Sequence, residues 1–355
     1  MIIGLIGLAN SGKTTIFNAL TRSEAAVTAY ATAKMEPNLA VVDVIDDRVT
    51  RLAAMYDPKK TTYATIDLID FVGMAEGSAR EGIISNLAMA AIKNTDALAL
   101  VVRNFSDDMG ASPTPKNDID QIVTELMLSD MILTETRLER IEKAYKKGLK
   151  DAVLEREEKV LRRIHAQLED SLPVSGLEIS AEEEKLLRGF HFLTQKQLMV
   201  ILNSDEDRFG TDPDLLASIE KSHRTIEFAG SFEMELNRLD DEEARMFMDD
   251  LGISESARDR LTRLAYETVG YISFFTVGPD EVRAWNVVRG SSALVAAGSI
   301  HTDLARGFIR AECFTCDDLF ECETEKAVRE KGRFRLEGKT YTVQDGDILS
   351  IRFSV

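Results

Sequence analysis

Cysteine, proline and tryptophan are scarce in this chain of 355 residues, at three, seven and one, and there are only four histidines. So few cysteines exclude a disulfide-stapled scaffold. Cys313, Cys316 and Cys322 lie within ten residues of one another. That spacing raises zinc, but a structural zinc site takes four ligands, and no histidine or fourth cysteine sits near them in sequence. They read as reduced thiols. No apolar run approaches the ~18 to 20 residues that span a bilayer. Residues 2–6 are too short and wrongly flanked for a secretory leader, so a cytoplasmic protein without membrane contact is expected. Positive charge is also short, with 43 Lys and Arg against 61 Asp and Glu, a net −18. This argues against a protein that grips nucleic acid over its whole surface, while leaving room for a local basic patch. What the chain does have is 44% hydrophobic residues, enough for two or three domains with cores of their own.

Ile2-Ile3-Gly4-Leu5-Ile6 reads as a short buried strand, followed by a glycine-bearing loop and a helix over about residues 14–20. Strand-like runs recur at 39–44, 64–69, 97–102, 198–202 and 225–228, several of them separated by helical patterns. This alternation predicts an α/β fold with a mostly parallel sheet and helices on both faces. Between about residues 118 and 190 the alternation gives way to a long, charged helical stretch. There Leu154, Leu161 and Leu168 recur at heptad spacing with Ile164 between them, and Leu138, Ile141 and Tyr145 form a matching stripe before Gly148. Two helices zipped antiparallel across a turn at Gly148 are predicted. Such an arm is either a solvated amphipathic pair or a surface offered to a partner. After a further helical stretch, about 240–268, short strand-like runs at 272–277, 308–312, 339–343 and 348–353 predict a separate small α+β domain, with Trp285 in its packing.

Gly7-Leu8-Ala9-Asn10-Ser11-Gly12-Lys13-Thr14 fits G-x-x-x-x-G-K-[ST], and it has the strand before and the helix after that this pattern requires. In such a loop the glycines let successive backbone N–H groups and the helix N-terminus point at phosphate oxygens. Lys13 supplies a point charge to the β and γ phosphates, and the Thr14 hydroxyl can ligate Mg²⁺. Asn10, Ser11, Gly12 and Thr15 complete the phosphate-side set. Asp70, in the Asp70-Phe71-Val72-Gly73 turn, stands at a strand's carboxyl end, where it can hold Mg²⁺. Gly73 would let a backbone N–H approach the γ-phosphate, so Lys13 and Gly73 are the candidate catalytic positions. Met74 follows, where many GTPases carry a glutamine that orients the attacking water. A thioether does not do this, so hydrolysis is expected to be slow or to rely on another group.

The run 198–202 leads into Asn203-Ser204-Asp205-Glu206, where a GTPase would show N-K-x-D. In that motif the aspartate accepts two hydrogen bonds from guanine. With Glu206 at the fourth position a longer carboxylate is misplaced for that contact, which makes adenine plausible, while Asp205 or Asp207 could restore guanine.

With these motifs in order the chain resembles the YchF/Obg-like ATPase family of translation-factor-class P-loop NTPases. The resemblance runs nearly end to end, through Glu36-Pro37-Asn38, Glu233-Met234-Glu235-Leu236, Phe274-Phe275-Thr276-Val277-Gly278-Pro279, His301-Thr302-Asp303, Gly307-Phe308-Ile309-Arg310-Ala311-Glu312 and Val343-Gln344-Asp345-Gly346-Asp347. It implies a P-loop G domain at 1–117 and 190–271, a coiled-coil arm inserted at 118–189, and a C-terminal TGS domain of β-grasp type at 272–355. It further implies a pocket favouring ATP over GTP, with Asn203 and Glu206 near the base and Ala229, Gly230 and Ser231 in the last base-contacting loop. Asn10 matches the P-loop asparagine that helps bind K⁺ in related NTPases whose catalytic glutamine is replaced by a hydrophobic residue. The ribosome is the implied partner.

The chain also departs from the family. Lys34 stands where the family has a threonine, leaving Thr32 as the nearest hydroxyl for the metal. The segment 77–86 has lost most of the family's glycines, and 104–117 contains no histidine. The leading expectation is a slow, ribosome-associated regulatory ATPase. The competing ones are a nucleotide-dependent binding module with negligible hydrolysis and a GTPase; a small-molecule kinase is poorly served, because no arginine-rich lid is evident. Arg306 and Arg310 flank Phe308, which reads either as a small RNA-facing patch or as a solvated strand face.

Overall fold

A computed structural model describes residues 1–21, 38–71, 91–106, 110–239, 241–250, 253 and 255–354. The chain separates into two compact units, one of residues 2–40 and 67–260, the other of residues 1, 41–66 and 261–355.

The first unit opens with β1, Ile2–Ile6, and α1, Lys13–Thr21. The chain then passes through β2, Asn38–Val44, α2, Asp47–Tyr56, β3, Lys60–Thr62, and β4, Ala64–Asp70, to β5, Ala97–Asn104. Around β1 the strand order is β4-β1-β5, continuing to β6, Gln197–Ser204, and β7, Arg224–Phe228, and all four of these pairings are parallel. Strands covered on both faces must be apolar nearly throughout, and β5 and β6 are buried over almost their whole length. In such a sheet ligands collect at the carboxyl ends where the order reverses; here the chain returns to β1 from both sides.

Between β5 and β6 lies the helical arm, α3, Pro115–Lys146, and α4, Ala152–Glu169, followed by α5, Ala181–Leu187. The root of α3 packs Ile119, Ile122 and Leu126 into the sheet's core. Farther out, Ile141 meets Val160, Leu161, Ile164 and Leu168 of α4, with Leu138, Tyr145 and Leu154 packed alongside, so the heptad stripe is the seam of the hairpin. Asp151 caps α4 by accepting from the N–H groups of Val153 and Leu154. Arg137 grips Glu157 through two nitrogens at 2.6 and 2.8 Å, the fork geometry that makes such pairs directional. The buried Asp130 carboxylate accepts from the Leu193 and Thr194 N–H groups and from the Thr194 hydroxyl, tying the arm's root to the segment that enters β6. After β6 come α6, Pro213–Glu220, then past β7 α7, Gly230–Leu236, α8, Asp241–Asp250, and α9, Ala257–Val269.

The second unit's sheet gathers β8, Tyr271–Thr276, β9, Glu281–Val288, β10, Phe308–Thr315, β11, Arg335–Glu337, and β12, Asp347–Phe353, in the order β11-β10-β12-β8-β9-β3. Its β8–β12 pair is parallel and is flanked by the antiparallel β8–β9 and β10–β12 pairs, a β-grasp arrangement. The helices α10, Ala293–Ile300, α11, Thr302–Arg306, α12, Cys316–Cys322, and α13, Glu325–Glu330, accompany it. Trp285 stacks on Phe274. Cys313, Cys316 and Cys322 are buried free thiols in the core, and burial pushes the first two up to about 12. Phe308 is buried as well, so it cannot stack on a base between Arg306 and Arg310.

One expected strand is absent here, and three strands were not foreseen. Residues 339–343 are not a strand: Thr342 makes one bridge to Ser292, and the neighbouring backbone bonds go to the turn and helix start at 291–294. The Tyr341 hydroxyl is drawn instead to the buried Asp347, at 2.8 Å. Conversely, β3, β9 and β11 were not foreseen: β3 and β11 are three residues each, and Arg283 and Asn286 interrupt the apolar pattern of β9.

Candidate functional site

Every strand from β4 to β7 in the first sheet ends on the same side as β1, and the five ends together make the site. The loop after β1 turns through Asn10, at φ 59°, and Gly12, at φ 86°. A side chain at Gly12 would also run into the Asn203 amide, so this glycine is needed both for its backbone angle and for its closeness to β6. The loop ends in α1, whose first intrahelical bond runs from Ile16 N–H to the Gly12 carbonyl at 2.9 Å.

Lys13 is buried, and its ammonium donates to the carbonyls of Gly7, at 3.0 Å, and Leu8, at 2.8 Å. Burial pulls this ammonium down to about 8, against the opposing attraction of the Asp70 carboxylate. Thr14 Oγ1 donates to Asp70 Oδ2 at 3.0 Å, and Asn38 Nδ2 donates to the same oxygen at 3.3 Å. Burial raises the Asp70 carboxyl above its ordinary range, against these two hydrogen bonds and the Lys13 charge. Its other oxygen, Oδ1, is buried with no hydrogen-bond partner among the described residues, as is Ser11 Oγ. A buried carboxylate oxygen left over beside a threonine hydroxyl suits a hard, oxygen-seeking divalent cation.

The second end of the site is a cavity of about 240 Å³ lined by Gly12, Thr15, Asn203, Glu206, Ala229 and Ser231 among others. Asn203 bridges its walls. Its Nδ2 donates to the Ser11 carbonyl at 3.0 Å and its Oδ1 accepts from Gly230 N–H at 3.1 Å, linking the phosphate loop to the segment after β7. Asp205 and Glu206 both face the cavity, but Asp205 Oδ1 already accepts from Arg208 N–H at 3.0 Å, and Asp207 is not among the lining residues. Phe105 and Ser106, at the end of β5, line the cavity too and were missed in the sequence. Their position one step past a buried strand, where ligands collect, was the available signal. Asn38 was noted for its motif alone, and Asn104, which holds Ser204, was not singled out. Gly73, Met74, Lys34, Thr32, Glu36, Pro37 and the stretch 77–86 lie outside the described residues.

A parallel sheet with a G-x-x-x-x-G-K-T loop after its central strand, a strand-end aspartate bonded to the loop's threonine, and a separate base-sized cavity define a P-loop nucleoside-triphosphate-binding protein. Comparison with known proteins then narrows the class. A family model described as 50S ribosome-binding GTPase matches residues 2–137, and the YchF-GTPase C-terminal model, described as a protein of unknown function (DUF933), matches residues 271–354. The ribosome-binding ATPase YchF of Bacillus subtilis strain 168 is 36% identical over 99% of both chains, and that of Haemophilus influenzae is 37% identical over 99% of both. The solved structure of the Schizosaccharomyces pombe YchF GTPase superposes with a TM-score of 0.84 at 28% identity, covering 99% of this chain and 97% of that one. The chain belongs to the YchF family.

Proposed function

We propose that this protein is a ribosome-associated regulatory ATPase, working in the cytoplasm, that binds ATP in preference to GTP and hydrolyses it slowly with Mg²⁺. The observation that carries the reading is the Lys13, Thr14 and Asp70 cluster at the sheet's carboxyl edge. The curated relatives carry the name ribosome-binding ATPase, and the solved relative is called a GTPase. The base side of the pocket therefore bears on which nucleotide is used. Guanine is read by a carboxylate free to accept from two ring donors. Asp205 has one oxygen engaged by its own turn and Asp207 stands off the cavity, which favours adenine.

In this reading Lys13 leaves its two carbonyls for the phosphate oxygens, and Asn203, Ala229, Gly230 and Ser231 position the base. Thr14 and Asp70 would hold Mg²⁺, which supplies positive charge against the β and γ phosphates. Asn10 would help hold K⁺, and Gly73 would offer its N–H to the γ-phosphate. Met74, in place of a water-orienting glutamine, keeps intrinsic turnover slow. We assign these roles to a G domain at 1–117 with 190–271, and we propose the arm at 118–189 and the TGS domain at 272–355 as the parts that meet the partner.

The test is ATP turnover with ribosomes present, in K⁺ and in Na⁺. Wild type should turn over ATP only with Mg²⁺, faster in K⁺, and Lys13→Ala should not. Absence of turnover under every condition would replace the enzyme with a nucleotide-gated binding module, and equal rates in Na⁺ and K⁺ would remove potassium from the site.

A further inference from the structure

The base side of the pocket is carried by a loop whose two ends close on one side chain. Ser204, the last residue of β6, donates its hydroxyl to Glu227 Oε1 at 2.5 Å. Six residues on, Gly210 N–H donates to the other carboxylate oxygen, Oε2, at 3.1 Å. The loop between them contributes Asp205 and Glu206 to the cavity wall. Its own turn is closed by the Arg208 and Phe209 N–H groups, which bond to Asp205. Phe209 packs with Ala229 and Phe232, the segment on the opposite wall.

The partners of this clasp are fully committed. Ser204 Oγ has a single hydrogen, which goes to Glu227, and it accepts from Asn104 Nδ2 at 2.9 Å. Ser204 and Asn104 are both buried. Glu227 sits on β7 opposite Leu202 of β6, and its carbonyl accepts from Arg260 Nη1 at 3.0 Å. The strand bearing the carboxylate is thus fixed independently of the loop it holds. Apart from the turn that the Arg208 and Phe209 N–H groups close on Asp205, it is this carboxylate that ties Ser204 and Gly210 to β7, whereas Lys13, Thr14 and Asp70 are held by contacts of their own.

We propose that Glu227 is a positioning residue for nucleobase selection: its carboxylate fastens both ends of the 204–210 loop, so that Glu206 and Asp205 are presented to the base in one fixed geometry. This deepens the reading of the cavity as an adenine-favouring base pocket and rests on it. Glu227 does not touch the nucleotide. It reduces the freedom the loop would otherwise lose when the base enters. The phosphate end is untouched by it, so its contribution belongs to the base and not to the triphosphate.

The experiment measures equilibrium binding of Mg·ATP, Mg·GTP and Mg·tripolyphosphate to the full-length wild type and to the Glu227→Ala and Glu227→Gln variants. Glutamine can accept from Gly210 N–H with its oxygen and donate to Ser204 Oγ with its amide, so it keeps both ends of the clasp. Glu227→Ala should weaken ATP about tenfold, as expected for losing hydrogen bonds to a charged acceptor, and narrow the ATP-to-GTP ratio. Its tripolyphosphate affinity should stay within twofold of wild type, and Glu227→Gln should recover most of the ATP affinity. An alanine variant that binds ATP as wild type does, while wild type prefers ATP, overturns the clasp and leaves the pocket reading standing. Equal losses for ATP and tripolyphosphate overturn it too, because they mark a general folding defect. Wild type that binds tripolyphosphate but draws no added affinity from adenine overturns the pocket reading itself, and the clasp with it.

Discussion

Lys13 titrates where nucleotide binding can be read directly against pH. Burial holds its ammonium at about 8 in the free protein, and a bound triphosphate favours the charged form, so its pKa must rise on binding. As far as this group governs it, affinity for ATP is therefore full below pH 8. It declines as pH climbs from the free value toward the bound one. Titrations at pH 7, 8 and 9 should show this decline in wild type and not in Lys13→Met, whose affinity should already be lower by about 10- to 150-fold, the worth of a charged hydrogen bond. A flat wild-type profile would mean that the ammonium is not the phosphate ligand. The two backbone carbonyls that hold it meanwhile, on Gly7 and Leu8, keep the charge paired in the absence of phosphate.

The arm depends on a buried carboxylate at its root. Asp130 accepts three hydrogen bonds, two of them from backbone N–H groups that have no other acceptor among the described residues. Replacing it with alanine strands those donors in the core and should cost about 2 to 4 kcal/mol, read as a lowered denaturant midpoint. Asp130→Asn, which keeps one acceptor, should cost less. The seam above this root was legible in the sequence because heptad spacing records which face of a helix is buried. The phosphate loop was legible for a related reason: its chemistry is contiguous in the chain. Asn104 and Glu227 were not, since they sit on different strands, and both reach Ser204 only once β5 and β7 pair with β6 on its two sides. The strand expected at 339–343 failed for the converse reason. Tyr341 and Val343 look like strand residues, but a tertiary bond to Asp347 and the turn at Gly346 decide their conformation.

At the scale of the molecule, a net charge of −18 sets a protein proposed to meet the ribosome against an anionic partner, so contact has to be local and shaped rather than a general attraction. A nucleotide can govern such contact only if the pocket both registers its phosphates and selects its base, and these two tasks fall at separable ends. One is a phosphate end built on Lys13, Thr14 and Asp70. The other is a base end built on Asn203 and the loop that follows it. Whether this member of the family prefers ATP is decided by titrating the wild-type protein with ATP and with GTP in Mg²⁺. ATP is expected to bind at least about tenfold more tightly, a difference near 1.4 kcal/mol. Equal affinities, or tighter binding of GTP, would contradict it.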